Sequence, residues 1–356
     1  MEAGQQYKVK NMSNLILTTS KIIDAIRALS NMHNGILTMF VVDDENRLCG
    51  SLTDGDIRRF LANGGELQQT VDMAMNRECI SVHTSSRDYV KCLQTCKTKK
   101  INIVPVVDEG RHVTSIIDLV HYKSYLPIDA VIMAGGKGER LRPLTLTTPK
   151  PLLPVGNKAI IDHNVDRLIA YGVKNISVTV NYLAEQLEEH YSEPRQEVQI
   201  HCVREPKFLG TMGAVRLVKE FHNDVVLVMN SDLFTDIDFE DMYLHFIENK
   251  ADMSIAAVPY TVSIPFGICD LDGRDVKGIV EKPTYNYYAN AGIYMLRREV
   301  LNRIPADEFF NATDMIDTLV HSKSKVIRYP LQGTWIDIGS MSEYDKAKDL
   351  VKHIKE

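Results

Sequence analysis

The stretch MAGGKGERLRPLTLTTPKPLLPVG, residues 133–156, decides how the rest of the chain is read. Gly135, Gly136 and Gly138 let a backbone turn approach a phosphate chain with its amides pointing inward. Lys137, Arg140, Arg142 and Lys150 add the positive charge that a polyanion needs. The segment fits neither common nucleotide fingerprint. It lacks the GxxxxGK[ST] of a P-loop, and where a dinucleotide loop would run into a helix it reads GGKGER and breaks at Pro143.

Outward from this loop, short apolar runs alternate with helical stretches: IDAVIMAG, IIDHNVDRLIAYG, NISVTVN, LAEQLEEHY, EVQIHCV, GAVRLVKEF, DVVLVMNSD, FEDMYLHFIENK and DMSIAAVPY. That order predicts βαβ units in a Rossmann-like, doubly wound, mainly parallel mixed sheet, an α/β fold whose ligands sit beyond the carboxyl ends of the strands. At one such end the run DVVLVMNSD delivers Asp232, a carboxylate that is costly after a buried strand unless it meets a cation.

The whole string GGxGxRLxPLTxxxPKPLLPV closely resembles the signature of sugar-1-phosphate nucleotidyltransferases, and the likeness extends over residues 128–356. It implies that Arg140 and Lys150 hold the triphosphate and the departing pyrophosphate, with Ala134, Gly135, Gly136 and Gly138 along the nucleotide. REPKFLGTMGAV (204–215) resembles the family's loop against base and sugar, which assigns Gly210 and Thr211 to nucleotide binding, although capping of the next helix alone explains Thr211. By the same resemblance Asp232 of NSD and Asp337 of GTWIDIG are the expected Mg²⁺ ligands. GIVEKPTYNYYANAGIYML (278–296) resembles the family's sugar-side motifs, which implies Glu281 and Asn290 on the sugar and Lys282 on its phosphate, with Gly267 leaving room for the ring. Transfer to an already anionic acceptor needs no protein nucleophile, so alignment and charge neutralisation carry the chemistry.

The likeness is to the compact guanylyltransferases for mannose, glucosamine or heptose 1-phosphates, and GTP is the first choice of donor. Uridylyl or thymidylyl transfer to a hexose 1-phosphate is the alternative within the enzyme class. A non-catalytic nucleotide-sensing subunit is the alternative outside it, and it has no need to keep Arg140, Lys150, Asp232, Lys282 and Asp337 together.

Residues 1–126 carry a weak internal repeat. A helical stretch (20–31), the strand MFVVDD and LCGSLTDGDIRR are followed by a second helical stretch (86–99), INIVPVVD and HVTSIIDLV. Superposing Asp56 on Asp118 brings Thr53 onto Ser115 and His112 onto the position of Gly50. The phrase LTDGDIRR and this order resemble tandem CBS domains, which implies an adenine nucleotide held by Thr53 with Asp56 and by Ser115 with Asp118. Thr53 and Asp56 equally suit a plain helix cap. The chain is thus expected to divide into a regulatory part, 1–126, and a catalytic part, 127–356, and the CBS pair suggests a homo-oligomer.

A net charge of −6 argues against general affinity for nucleic acid or anionic membranes. No run of apolar residues reaches membrane-spanning length. The N-terminus lacks a secretory pattern, and the six scattered cysteines have no CxxC spacing, so a reduced, cytoplasmic protein is expected.

Overall fold

The computed structural model describes residues 14–32, 37–83, 89–120 and 123–352, and the chain divides into two compact units, Met1–Tyr125 and Leu126–Glu356. Part of the second helical stretch, 86–88, lies outside the described residues.

The first unit holds β1 (Leu15–Leu17), α1 (Ile22–Ser30), β2 (Thr38–Val42), β3 (Leu48–Thr53), α2 (Asp54–Ala62), β4 (Val82–His83), α3 (Tyr89–Thr98), β5 (Ile103–Val107) and β6 (Val113–Asp118). Its two sheets, β1-β2-β3 and β4-β5-β6, repeat one another. Leu48 N–H donates to Arg111 O at 2.9 Å and Val113 N–H to Asn46 O at 3.0 Å, the same bond made twice across a local two-fold. Phe40, Val42 and Leu48 of one repeat pack with Ile103, Val107 and Val113 of the other in one buried cluster.

Strand pairing corrects the sequence superposition by three residues. Thr38 faces Thr53 in the first repeat and Ile103 faces Asp118 in the second, so Asp118 occupies the position of Thr53, Ser115 that of Gly50, and His112 that of Arg47. Ser115 is therefore buried inside a strand rather than at its end. Asp118 ends β6, where its Oδ1 accepts from Val120 N–H at 2.8 Å; the helix start expected there is absent from the described residues. Matching on the carboxylate ignored the fixed side-chain alternation of paired strands, which sets register more firmly than one polar residue.

The second unit runs β7 (Ile128–Met133), β8 (Pro154–Val155), β9 (Lys158–Ala159), α4 (Ile160–Ala170), β10 (Asn175–Val180), α5 (Ala184–His190), β11 (Ile200–Arg204), α6 (Gly210–Gly213), β12 (Val225–Asn230), β13 (Leu233–Thr235) and α7 (Phe239–Glu248). It continues with β14 (Met253–Ser263), β15 (Ile268–Asp272), β16 (Asp275–Val280), β17 (Thr284–Arg297), α8 (Ala312–His321), β18 (Val326–Pro330), β19 (Trp335–Asp337) and α9 (Met341–Val351). Seven strands form a mixed sheet in the order β11-β10-β7-β12-β17-β14-β18. Only β17 runs against its neighbours β12 and β14; the other pairs are parallel. The apolar runs VVLVM and AVI that predict central strands are buried on both faces, as parallel strands covered by helices require.

The helix expected over GAVRLVKEF shrinks to one turn, Gly210–Gly213, and a 3₁₀ turn, Ala214–Leu217. Phe310 O accepts from both Met212 and Gly213 N–H, at 2.9 and 2.8 Å, so these amides bond across to the segment before α8. Among the described residues no helix is long and apolar enough to cross a membrane.

Away from the sheet's carboxyl end, Asp162 on α4 is buried and accepts from Tyr191 OH at 2.9 Å, His190 Nε2 lies 3.0 Å away, and Arg195 sits at 3.4 Å. Burial works to raise this carboxyl, but the hydrogen bonds and charges of His190, Arg195 and Tyr191 outweigh it and hold it below the usual carboxylate range. A depressed folded-state pKa gives stability that is present above the unfolded value, near ~4, and is lost as pH falls through the folded value. Asp162→Asn is expected to cost about 2–4 kcal/mol at neutral pH and to flatten this acid loss. Urea midpoints at neutral pH and near pH ~3 check it; parent and variant falling in parallel would remove the assignment.

Candidate active site

The loop after β7 leaves the sheet at Ala134, whose N–H donates to Thr179 O at 2.9 Å. Gly138 takes a left-handed φ of 61°, a conformation glycine adopts freely, and the chain then closes a 3₁₀ turn over Glu139–Leu141 that places Arg140. Thr145 Oγ1 donates to Gly138 O at 2.8 Å and fixes the turn from beneath. A further 3₁₀ turn, Lys150–Leu152, points the Lys150 side chain into the site, where the residue is 8% exposed.

Asp232 follows β12, whose carboxyl end lies beside that of β7: Ser231 N–H donates to Met133 O at 3.1 Å. The short antiparallel pair β13–β19 brings Asp337 alongside, since Leu233 faces Asp337 and Ile338 N–H donates to Asp232 O at 3.0 Å. Lys150 Nζ donates to Asp232 Oδ2. The Arg140 guanidinium lies over Gly339, where a Cβ would come within 3.0 Å of Nη2. A buried cluster that includes Leu141, Val155, Phe234, Ile338 and Tyr344 ties loop, strand pair and α9 together, and Tyr344 OH donates to Pro154 O at 2.7 Å.

Burial and then the neighbouring charge of Asp232 push the Asp337 carboxyl upward, partly offset by Lys150 and Arg140. Asp232 Oδ1 is buried and has no hydrogen-bond partner. Two carboxylates in repulsion, one with an orphaned oxygen, make a donor set suited to a hard divalent cation that takes its remaining ligands from water and phosphate. No group of three or more His, Cys, Asp or Glu side chains arranged for a metal occurs among the described residues.

A cavity of about 180 Å³ lies above the strand ends, lined by Ala134, Gly135, Gly136, Lys150, Asp232 and the Gly210–Thr211 turn, among others. Gly210 has φ +80° and no room for a side chain: a Cβ would meet Phe310 O at 2.8 Å. Thr211 does not cap the helix that follows it. Its hydroxyl accepts from Ala312 N–H at 2.9 Å and lies 3.4 Å from Asn311 Oδ1, tying the turn to the start of α8.

Glu205, which the sequence reasoning passed over, is buried in the wall of the same cavity. Burial raises its carboxyl, Leu209 N–H donates to Oε2 at 3.0 Å, and a side chain at Gly135 would strike Oε1. The signal was present: REP sets a carboxylate at the carboxyl end of β11 just as NSD does at β12.

The sugar-side residues are placed differently. Gly267, Glu281 and Lys282 belong to an exposed hairpin arm and do not line the cavity. Gly267 abuts Glu281, as a Cβ there would lie 2.9 Å from Oε2. Asn290 stands nearer the sheet, donating to Tyr294 OH at 2.9 Å and accepting from Gly292 N–H at 3.0 Å, while Gly292 packs on Asn230 of the cavity wall. The structure thus gathers Arg140, Lys150, Asp232, Asp337 and the glycine turns, and keeps the Glu281–Lys282 pair apart from them.

In the first unit, Asp56 is fully engaged. Thr53 N–H and Oγ1–H donate to Oδ2 at 2.8 and 2.6 Å, Arg59 pairs with Oδ1, and Asp56 N–H donates back to Thr53 Oγ1. That is a complete capping box on α2.

A mainly parallel mixed sheet with a glycine turn, cations and paired carboxylates beyond its strand ends has the architecture of a doubly wound nucleotide-phosphate site. The nucleotidyl transferase family profile matches residues 129–353, and the chain belongs to that family; a CBS domain matches residues 15–63. A putative mannose-1-phosphate guanyltransferase of Sulfolobus acidocaldarius is 31% identical over 221 residues, 61% of this chain and 61% of that protein. The mannose-1-phosphate guanylyltransferase of Mycobacterium tuberculosis is 30% identical over 237 residues, 64% of this chain and 66% of its own length. The chain therefore spans about three fifths of the length of the curated relatives it matches. Among solved structures, a putative glucose-1-phosphate thymidylyltransferase of Bacillus anthracis shares the fold at TM-score 0.51 and 23% identity, covering 64% of this chain and 97% of that one. HddC of Yersinia pseudotuberculosis, complexed with GMP-PN, superposes at TM-score 0.50 and 25% identity, covering 63% and 99%.

Proposed function

We propose that residues 127–356 transfer a nucleoside monophosphate, GMP from GTP in the first instance, to a sugar 1-phosphate of the mannose, glucosamine or heptose type, releasing pyrophosphate. The observation that carries this is the meeting of Lys150 and Asp232 in the wall of a glycine-lined cavity at the carboxyl ends of β7 and β12, with Asp337 and Arg140 close enough for their charges to act on one another and on that pair. Arg140 and Lys150 bind and orient the triphosphate, and their charge offsets what builds on the leaving pyrophosphate. The Gly210–Thr211 turn and Gly135 allow the nucleotide to lie against backbone. Asp232 and Asp337 would hold Mg²⁺, which supplies neutralisation of the α-phosphate oxygens. Asn290, next to the cavity wall, binds the acceptor sugar, and the resemblance assigns its phosphate to Lys282 with Glu281, which lie on the exposed arm outside the cavity. Residues 1–126 form the regulatory unit, with an adenine nucleotide as the ligand class for the CBS pair.

The similarity to mannose-1-phosphate guanyltransferases favours the guanine and mannose choice. Pyrophosphate release measured with each of four nucleoside triphosphates against a panel of sugar 1-phosphates tests it. GTP with a mannose-type acceptor is expected to give the highest kcat/KM. A preference for UTP or dTTP would replace the base assignment, and no release with any pair would remove the activity.

A further inference from the structure

Two chemically different walls close the cavity. On the β12 side stand Lys150 and Asp232, where phosphate and cation belong. On the β11 side the buried carboxylate of Glu205 repels phosphate, which leaves that side to the uncharged base of a nucleotide. Leu209 N–H donates to Glu205 Oε2 at 3.0 Å, and this bond keeps the preceding residue, Phe208, in the same wall.

A second phenyl joins Phe208 from the segment before α8. The Phe208 and Phe309 ring centroids lie 5.9 Å apart, with their planes inclined at 56°. Both rings stand on a fixed mount. Phe310 N–H donates to Leu209 O at 2.9 Å and Thr211 N–H to Asn311 Oδ1 at 3.2 Å, while Gly210 packs on Phe310 with no room for a side chain. Leu209 and Phe310, the bonded residues, each directly follow one of the two phenylalanines, so the rings cannot part without breaking the turn. Yet Phe208 is 52% exposed and Phe309 57%. Apolar side chains exposed singly are ordinary. Two rings in contact, rigidly held at the edge of a cavity and still half open, keep a face for something to cover.

We propose that Phe208 and Phe309 form an angled seat for the nucleobase, and that Phe309 is the residue that favours a two-ring purine over a one-ring pyrimidine. The proposal rests on nucleotidyl transfer as the activity of this site and adds what selects the base. Aromatic rings prefer offset-stacked or edge-to-face partners. A base stacked on Phe208 turns its far edge toward the inclined face of Phe309. A pyrimidine ends over Phe208, whereas the fused second ring of a purine reaches the neighbouring phenyl. Stacking needs only a π-face, so Phe309 reads ring size and adenine gains from it as guanine does. Because the seat is set before the ligand arrives, little ordering is lost on binding.

Equilibrium dialysis of the full chain in Mg²⁺ with GTP, ATP, UTP and tripolyphosphate tests it, on the parent, Phe309→Ala and Phe208→Ala. Phe309→Ala is expected to weaken GTP and ATP by ~10-fold and to leave UTP and tripolyphosphate within about twofold; Phe208→Ala should weaken all three nucleotides and spare tripolyphosphate. Unchanged purine binding in Phe309→Ala overturns the seat. So does an equal loss for UTP or tripolyphosphate, the result a merely structural role would give. Phe309→Trp keeps the proposal testable if the alanine variant fails to fold. Its new indole should be quenched by GTP and ATP, beyond any change of the single native Trp335 in the parent, and not by tripolyphosphate; no added quenching overturns the seat. A parent that turns nucleotides over but prefers UTP overturns the purine seat and leaves the transfer reaction standing. A parent that binds no nucleotide removes both.

Discussion

Replacing Asp232 with Asn is expected to lower pyrophosphate release by about 10³-fold or more while leaving the fold intact. Asp232 stands where three demands meet. Its Oδ2 takes the Lys150 ammonium, its Oδ1 is buried without a partner, and its charge pushes the Asp337 carboxyl upward. The amide keeps the shape of the side chain and removes its charge. Lys150 then loses its anionic neighbour, and the cation site drops to one carboxylate. The sheet beneath does not depend on that charge, because β12 is held by its ladders to β7 and β17. Steady-state release in saturating Mg²⁺, with far-UV circular dichroism and Mn²⁺ binding alongside, measures the effect. A rate within threefold of the parent (~0.65 kcal/mol in barrier) would show that Asp232 is not at the reacting centre.

Gly210→Ala is expected to be the more damaging change for the scaffold. At φ +80° an L-residue is strained by ~1–3 kcal/mol, and the new Cβ would press on Phe310 O and C at 2.8 and 3.1 Å, backbone atoms that cannot turn aside. A total cost of about 2–4 kcal/mol corresponds to a fall in Tm of roughly 5–12 °C for a unit of this size. Gly213→Ala is the internal comparison. Its backbone φ is −60°, helical and open to any residue, and its tightest contacts are at 3.0 Å, so it should cost under half as much. Because Gly210 also lines the cavity, KM for the triphosphate should rise with the loss of stability. Equal melting temperatures for the Gly210 variant and the parent would mean that the turn relaxes freely and does not shape the cavity.

Much of the catalytic unit was legible because its strands are continuous apolar runs bounded by turn residues, and long buried strands leave few other ways to fold. Asp232 could be read as chemistry for the same reason: a carboxylate at the end of such a run is too costly to be idle. Glu205 obeys the same rule at β11, but Arg204 and Pro206 around it disguise the strand end. The segment after Thr211 misled because apolar spacing suggests a helix, while its amides are taken by Phe310 O some hundred residues on, a partner that no local pattern reveals. The arm was hidden for a different reason. TYNYYA lies within the stretch read as a sugar-contact motif, 278–296, and VPYTVS runs on from the strand DMSIAAVPY with nothing in the sequence to mark its partner. In the N-terminal repeats, a single aspartate proved a poorer guide to register than the strand ladder itself.

The wedge of Leu141, Val155, Phe234, Ile338 and Tyr344 joins the first loop of the unit to its last helix, and Tyr344 and Pro154 are bonded across 190 positions of sequence. During vectorial synthesis, then, the sheet's first strands can pair long before the phosphate cradle is able to set. Until residues 335–351 have emerged from the ribosome, Arg140 and Lys150 face neither Asp337 nor the α9 buttress, so a nascent or trimmed polypeptide carries the sheet without a working catalytic mouth.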